Sequence, residues 1–476
     1  MKARARLATL TALALLAGAC GPSGGSGTPA APSVPTPSRT ASPTVQPSPA
    51  HLPSPTPDPT PRSAIVPGTV DRSSLVLSAT YGVDLRLFVG TGALEVAVVI
   101  DIRNDSGEDI DRLELNTVAA RLGGIDIVEA SVDDRPVVVT VDDQTLLVPL
   151  GGVLPSGGTA TARLAYRATL RDDLDGSNWL FSRARGTLAL YRWIPWVSRA
   201  IPFDRPNHGD PFLTPTSPLV RVRITTDVPM VVASPGLDPV ADGLTWSFEA
   251  RDVRDVAVVL ASDFRLATGH ASGIPIRVYT RPGGLDGREL VSQAGLALTR
   301  IADRLGVPYP WPAFTVVETA GGHGMESPGL IWIPRGTIST NLAYLVHHEA
   351  AHQWFYGLVG NDQQAEPFAD EAAADLTART VLGLRRGSRC DSEPLDRSIS
   401  DYSGACYFEV VYIQGGNVLD DIRKRIGTEA FWAAIRGYLE ANQFGLAGTH
   451  QLLEALRAAS PVDLLPTLQA RFPSLF

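Results

Sequence analysis

The residues with the clearest chemical potential in this 476-residue chain are Leu345-Val346-His347-His348-Glu349-Ala350-Ala351-His352-Gln353-Trp354-Phe355, which hold three of its eight histidines. His348 and His352 are four apart, so on a helix they share a face and both imidazoles reach one zinc ion at about 2.0–2.1 Å. Glu349 lies beside such an ion without having to bind it, as a general base toward water must. His347 points about 100° away around the helix and reads as a neighbour rather than a ligand. Nineteen residues after His352, Glu371 stands in a second helical segment, Phe368-Ala369-Asp370-Glu371-Ala372-Ala373-Ala374-Asp375. Two histidines and one carboxylate leave a coordination position open, which is the pattern of a catalytic zinc and not of a structural one. Asp375, four residues past Glu371, shares its face on an α-helix and is expected to accept a hydrogen bond from the free ring nitrogen of a liganding histidine. The expectation is one Zn2+ per chain, held by His348, His352 and Glu371.

The segment His348-Glu349-Ala350-Ala351-His352-Gln353-Trp354-Phe355, with Glu371 after a gap of eighteen residues, resembles the zinc signature of the gluzincin metallopeptidases of the aminopeptidase N and leukotriene hydrolase type. Three further stretches support the resemblance. Gly324-Met325-Glu326-Ser327-Pro328-Gly329-Leu330 is similar to the family's Gly-x-Met-Glu-Asn motif, which implies that Glu326 binds a substrate's free amino terminus, with Gly324 and Met325 beside it. Tyr407 and Tyr412, followed by Ile413-Gln414-Gly415, resemble the family's tyrosine pair; the likeness implies that Tyr412 donates to the transition-state oxyanion and that Tyr407 supports it. Phe248-Glu249-Ala250-Arg251-Asp252-Val253-Arg254-Asp255-Val256-Ala257 resembles the end of the family's N-terminal β domain. The departures bear on specificity: Ser327 replaces the motif's Asn, Gln414 stands where Glu is common, and Asp370-Glu371-Ala372 replaces Asn-Glu-Gly. The family's β domain also contributes a Gln or Glu to the amino-terminus pocket, and Leu188 to Asp204 offers no obvious equivalent. Because the chain stops about twenty residues after its last recognisable helix, the resemblance is to a short form without the C-terminal helical domain. It implies a zinc metallopeptidase acting on peptides, most simply an aminopeptidase; a zinc endopeptidase and a catalytically silent peptide-binding surface protein are the competing readings.

The elements that must position these residues fall into two regions. From Ser73 to about Leu266 short alternating runs recur, at Leu94–Ile102, Val137–Val141, Thr159–Ala168, Val220–Thr226 and Val256–Ala261, which predicts an all-β sandwich or saddle. After a strand at Ile274–Tyr279 the period becomes helical over Leu290–Leu305, with strands returning at Phe314–Glu318 and Leu330–Ile333. Helices are then predicted over Leu342–Val359, Asp370–Val381, Tyr407–Arg425, Glu429–Asn442 and His450–Ala458. The predicted architecture is multidomain: a β domain over 69–268, then a thermolysin-like α+β, mainly helical, zinc peptidase domain over 269–476.

The first 68 residues read as an address and a tether. Lys2, Arg4 and Arg6 precede an apolar run, Leu7 to Leu16, too short to span a bilayer, as in a secretory signal. The run ends Ala17-Gly18-Ala19-Cys20-Gly21, which resembles a bacterial lipobox; the resemblance implies a lipoprotein signal over 1–20 that ends at Cys20, with Cys20 lipidated and left as the new N-terminus. Residues 21–68 hold 14 of the 38 prolines and cannot build a core; as polyproline they extend about 3.1 Å per residue. The expected location is the outer face of a membrane, through a lipid anchor. From residue 69 onward 36 basic residues face 49 acidic ones, which disfavours nucleic acid and other phosphate-rich partners. Hydrophobic residues at 44% are ordinary for a globular chain, and three cysteines exclude a disulfide-dense scaffold. In an exported chain Cys390 and Cys406 either close a disulfide, stabilising by roughly 3 kcal/mol, or remain buried thiols.

Overall fold

Strict alternation explains the first half of the fold. In Ala93–Asn104 the residues Leu94, Val96, Val98, Ile100 and Ile102 are buried while their neighbours lean outward, and Leu77–Phe88 repeats the pattern. These strands pair antiparallel in the middle of an eight-stranded sheet. Its order is Val240–Asp242, Thr245–Ala250, Val220–Thr226, Leu77–Phe88, Ala93–Asn104, Thr159–Thr169, Asp126–Val132 and Arg135–Pro136. Two four-stranded sheets, one centred on Val258–Ala261 and Thr187–Leu190, the other on Ile110–Asn116 and Thr145–Leu154, complete this region. The computed structural model describes residues 63–203, 210–237 and 239–476. The signal, Cys20 and nearly all of the proline-rich spacer lie outside the described residues, and no helix among those described is long and apolar enough to cross a membrane.

The second half is built on a five-stranded sheet. Ile274–Thr280, Phe314–Thr319 and Leu330–Pro334 run parallel, flanked by antiparallel edge strands Arg265–Ala271 and Met325–Ser327. This sheet therefore starts at Arg265, a few residues before the change of period in the sequence. The helix Gly287–Leu305, capped by Asp286 and closed by left-handed Gly306, covers it. Helices then dominate: Ser339–Ala351, Ala373–Leu382, Gly415–Ile426, Thr428–Ala441 and Thr449–Ala458. A multi-sheet β-rich region followed by a mainly helical one agrees with the sequence in outline.

Three local expectations need correction. Residues 137–139 are not extended within a sheet, and Val138 is 84% exposed; only Thr140–Asp142 pairs. The helix predicted over Leu342–Val359 stops at Ala351, where the next N–H groups bond only three residues back, Gln353 N to Ala350 O at 3.1 Å and Trp354 N to Ala351 O at 3.0 Å; Tyr356, with φ 103°, then turns the chain away. Trp354, Phe355, Leu358 and Val359 are buried all the same, so their apolarity carried no information about helix length. The segments around Glu371 and Tyr412 are π-helical, Phe368–Ala372 and Glu409–Gln414, before each becomes α-helical.

Residues 63–68, spacer by composition, already join the body: Val66 exchanges backbone hydrogen bonds with Val153, and Ala64 and Ile65 pack on the core. Asp111 fixes this entry, accepting from Thr69 Oγ1 and the backbone N–H groups of Val70, Asp71 and Arg72 at 2.7–3.0 Å. Desolvation opposes its charge, but these donors outweigh it and hold its carboxyl below the usual carboxylate range. A depressed native pKa stabilises the fold above the unfolded value near pH 4 and ceases to do so as pH falls. Asp111→Ala should therefore cost roughly 1–2 kcal/mol at pH 7. In urea melts, its deficit against the parent should narrow from about pH 4 downward.

Candidate active site

The histidine helix Ser339–Ala351 drives its C-terminal half into the core, with Val346 to Ala351 all buried, so its polar residues face one another and not water. His348 Nε2 and His352 Nε2 lie 3.3 Å apart, and Glu371 Oε2 is 3.3 and 3.2 Å from them. Beyond these two ring nitrogens, buried Glu371 Oε2 has no partner among the described residues. Three corners of a tetrahedron with roughly 2.0–2.1 Å bonds are about 3.3–3.4 Å apart, so this donor set fits one zinc ion, as do its two nitrogens and one carboxylate. His352 Nδ1 faces Phe355 O at 3.1 Å, which orients its ring, whereas His347 turns away to bond Ala343 O at 2.7 Å. Burial lowers the His347 pKa to about 4 and keeps it neutral. Burial opposes ionisation of Glu371, but His352 and His348 facing it hold its carboxyl below the ordinary range.

Glu349 lines the same cleft and is pushed well above its ordinary pKa by burial and by Glu326 and Glu371. Gly324 has a steric reason: a Cβ there would overlap the Glu349 carboxylate. Met325 is buried in the edge strand, a packing residue, while Glu326 beside it reaches the cleft. Gln353, the residue after His352, clamps that strand to the histidine helix, accepting from Gly329 N at 2.8 Å and donating to Ser327 O at 3.0 Å. Burial raises the Glu326 pKa, His352 opposes the rise and Glu371 adds to it.

The π-turns alter how the helical residues point. A π-turn inserts an extra residue into the helix, so positions four apart across its end no longer share a face. Glu371 faces the histidines, but Asp375 does not reach a ring nitrogen: it pairs with Arg379 at 2.7 Å and Arg386 at 3.2 Å and accepts from Tyr344 Oη at 2.7 Å. Among the described residues His348 Nδ1 has no hydrogen-bond partner, and the Tyr344 ring stacks on His348 instead. Tyr412 Oη donates to Glu371 Oε1 at 2.6 Å, so its proton already points at the ligand cluster; burial and Glu371 raise its pKa well above the usual phenol value. Tyr407 is buried against Tyr402 and Tyr412. Gly415 and Gly416 let this segment approach the glutamate helix, since a Cβ at either would meet Ala372 or the Arg379–Asp375 pair. Cys390 and Cys406 form a disulfide, and Gln414 holds the same loop by donating to Cys390 O and Asp391 O at 3.0 and 2.9 Å.

Sequence reasoning missed two residues. Asp210, arriving from the β-rich region, lines the cleft with Glu326, and burial followed by Glu326 and Glu371 pushes its pKa well above the ordinary value. It lies just past the stretch searched for a β-domain contribution, and no motif marks it. Gln363 donates from Nε2 to both Glu326 Oε1 and Asp370 Oδ2 at 3.0 Å and accepts from Arg192 Nη2 at 3.1 Å.

No family model matches the chain. In sequence it is 24% identical over 430 residues to an alanine/arginine aminopeptidase of Saccharomyces cerevisiae and 23% identical over 450 residues to aminopeptidase M1 of Arabidopsis thaliana, with 80% of this chain and 49% of each relative covered. The chain thus spans about half the length of the curated relatives it matches. In fold it is similar to an M1 zinc metallopeptidase of Deinococcus radiodurans, with a TM-score of 0.65 at 19% identity over 86% of this chain and 96% of that one. A structure of the same Deinococcus protein bound to a Tyr-Ser-Ala substrate superposes with a TM-score of 0.64 at 18% identity. The fold is that of the M1 metallopeptidases. The resemblance to the aminopeptidase N family read from the motifs stands on these relatives.

Gly324→Ala should leave zinc content at one per chain by metal analysis while displacing the Glu349 carboxylate. With a peptide substrate the displacement should appear as a fall in kcat of about 10²-fold.

Proposed function

We propose that the chain is an exported zinc aminopeptidase whose catalytic half is thermolysin-like. The convergence of His348 Nε2, His352 Nε2 and Glu371 Oε2 within 3.3 Å of one another, in a cleft shared with Glu349, carries this reading. Bound there, zinc would supply Lewis acidity to the scissile carbonyl and to an attacking water. Glu349, beside the ligands and free of a permanent cation, takes the proton from that water and passes it to the leaving amine. Tyr412, kept protonated, donates to the oxygen that becomes negative as the carbonyl is attacked. Glu326 binds the substrate's α-ammonium, and Asp210 adds a second carboxylate to that end of the cleft, in the place where the sequence showed no β-domain partner. Holding the amino terminus there puts the first peptide bond over the ligands and gives removal of single residues.

The β domain and catalytic domain are read as about 69–268 and 269–476, with the signal, the lipidated Cys20 and the spacer before them presenting the enzyme outside a membrane. Peptides are the substrates.

The test compares the zinc-loaded full chain with Glu349→Gln on peptides carrying free and acetylated amino termini. Zinc content should be equal in the two proteins, and release of amino-terminal residues should fall by about 10²–10⁴-fold in Glu349→Gln. Acetylation should abolish release; unchanged cleavage of acetylated peptides would make the enzyme an endopeptidase. Removing the metal with a chelator should stop release, and zinc should restore it. For the anchor, Cys20→Ala should move the chain from the membrane fraction to the soluble fraction of the producing cell.

A further inference from the structure

Arg386 is the one arginine or lysine among the described residues lining the zinc cleft, whose other charged walls include Asp210, Glu326, Glu349 and Glu371. It follows the glutamate helix, after the left-handed turn at Gly383, and Asn417 Nδ2 holds its carbonyl at 3.2 Å. Its guanidinium lies over the Tyr344 ring, 4.9 Å from the centroid. Only Nη1 is engaged, donating to Tyr344 Oη at 2.7 Å and Asp375 Oδ1 at 3.2 Å. Nη2 and Nε make no hydrogen bond within the described residues, and the side chain is 38% exposed.

The charges around it do not balance. Asp375, fully buried, is the one carboxylate paired with either Arg379 or Arg386 among the described residues. Arg379 is itself buried, at 2.7 Å from Asp375, and donates its Nη1 to Asn417 Oδ1 at 2.9 Å. Two guanidinium groups thus share one carboxylate, and the surplus positive charge sits where water and substrate reach it, on the free edge of Arg386. A planar guanidinium with an unused edge, fixed by a ring and a buried acid, is the preorganised partner of a carboxylate.

Its position tells which part of a substrate it meets. A Glu326 oxygen lies within 4.8 Å of a His352 ring nitrogen, whereas Arg386 stands beside Tyr344, whose ring stacks on His348. The acidic end of the cleft and its cation are therefore on the sides of different histidines. A peptide with its amino terminus at Glu326 crosses the ligand atoms and leaves past His348. We propose that Arg386 binds a carboxylate on the departing side of the substrate, so that the site selects peptides carrying negative charge there. This rests on the peptidase reading. The carboxylate has two sources, the C-terminus of a short peptide or an acidic side chain just after the scissile bond.

The experiment uses the zinc-loaded full chain and three peptides: trialanine, its C-terminal amide, and a tripeptide amide with aspartate second. In the parent, kcat/KM for trialanine, for the aspartyl amide, or for both should exceed that for the neutral amide by about 10- to 100-fold, mainly through KM. Preference for trialanine alone assigns the C-terminal carboxylate, and preference for the aspartyl amide alone assigns the side chain. In Arg386→Gln the ratio of either acid to the neutral amide should fall to about one, and Arg386→Lys should restore part of it. A parent that turns over all three peptides equally, or a preference that persists in Arg386→Gln, overturns the proposal. Calorimetric affinities for trialanine and its amide, measured in Glu349→Gln with and without Arg386→Gln, give the same comparison without turnover. No cleavage of any peptide by the folded, zinc-loaded parent would sink the peptidase reading, while the calorimetry would still decide for or against Arg386.

Discussion

Burial of negative charge in one place is the constraint on which the rest of this structure turns. Asp210, Glu326, Glu349, Asp370 and Glu371 crowd around two histidines at the meeting of the β-rich and helical regions. Burial and mutual repulsion push four of these carboxyls upward, Asp370 to about 7, while Glu371 alone is held down, by the histidines it faces. A cation placed between His348, His352 and Glu371 would offset the repulsion among these carboxyls, as binding of a metal to buried ligands couples to their protonation.

The β-rich region answers the same constraint from behind. Arg192 and Arg254, both buried, come from it and reach into the helical half. Arg254 donates to Thr214 O, Gly357 O and Gly445 O at 2.8–3.1 Å, so it ties the loop that ends the histidine helix, at Gly357, to the β-rich region and to the turn after Thr428–Ala441. Asp255 accepts from Ser327 Oγ and Tyr356 Oη, and Arg192 Nη2 donates to Tyr356 Oη at 2.6 Å. The left-handed Tyr356, a conformation that costs a non-glycine residue about 1 kcal/mol or more, is thus held by its own hydroxyl. Ser327 ends the strand that carries Glu326 and Tyr356 lies in the loop after the helix that carries Glu349, so one buried network ties those two elements together.

What could be read in the sequence was local in origin. The four-residue spacing of His348 and His352 is a property of one helix, and alternation in Ala93–Asn104 a property of one strand, so both survive folding unchanged. The interval to Glu371 told that a third ligand was present, but not that it sits in a π-turn, because the apolar pattern of Phe368 to Ala374 is the same for either helix when every residue is buried. From that one uncertainty the partner of Asp375 was misjudged, since its face depends on the turn before it. Asp210, Gln363 and Arg386 carry no periodic or motif signal; each gains its meaning from residues between 7 and 171 positions away. The helix end at Ala351 was hidden for a related reason, as a buried loop is as apolar as a buried helix.

Gln363 shows how a neutral group can serve an acidic site better than a charged one. Its amide has two N–H bonds and gives one to Glu326 and one to Asp370, while its oxygen takes the Arg192 guanidinium. A lysine or arginine there would form an ion pair with Glu326 and remove the charge on which its proposed role toward an α-ammonium depends. A carboxylate would add a further repulsion to a cluster already resisting ionisation. The amide instead fixes both acids by geometry and leaves their charge uncancelled by an ion pair, with Arg192 one step back, bonded to the amide oxygen.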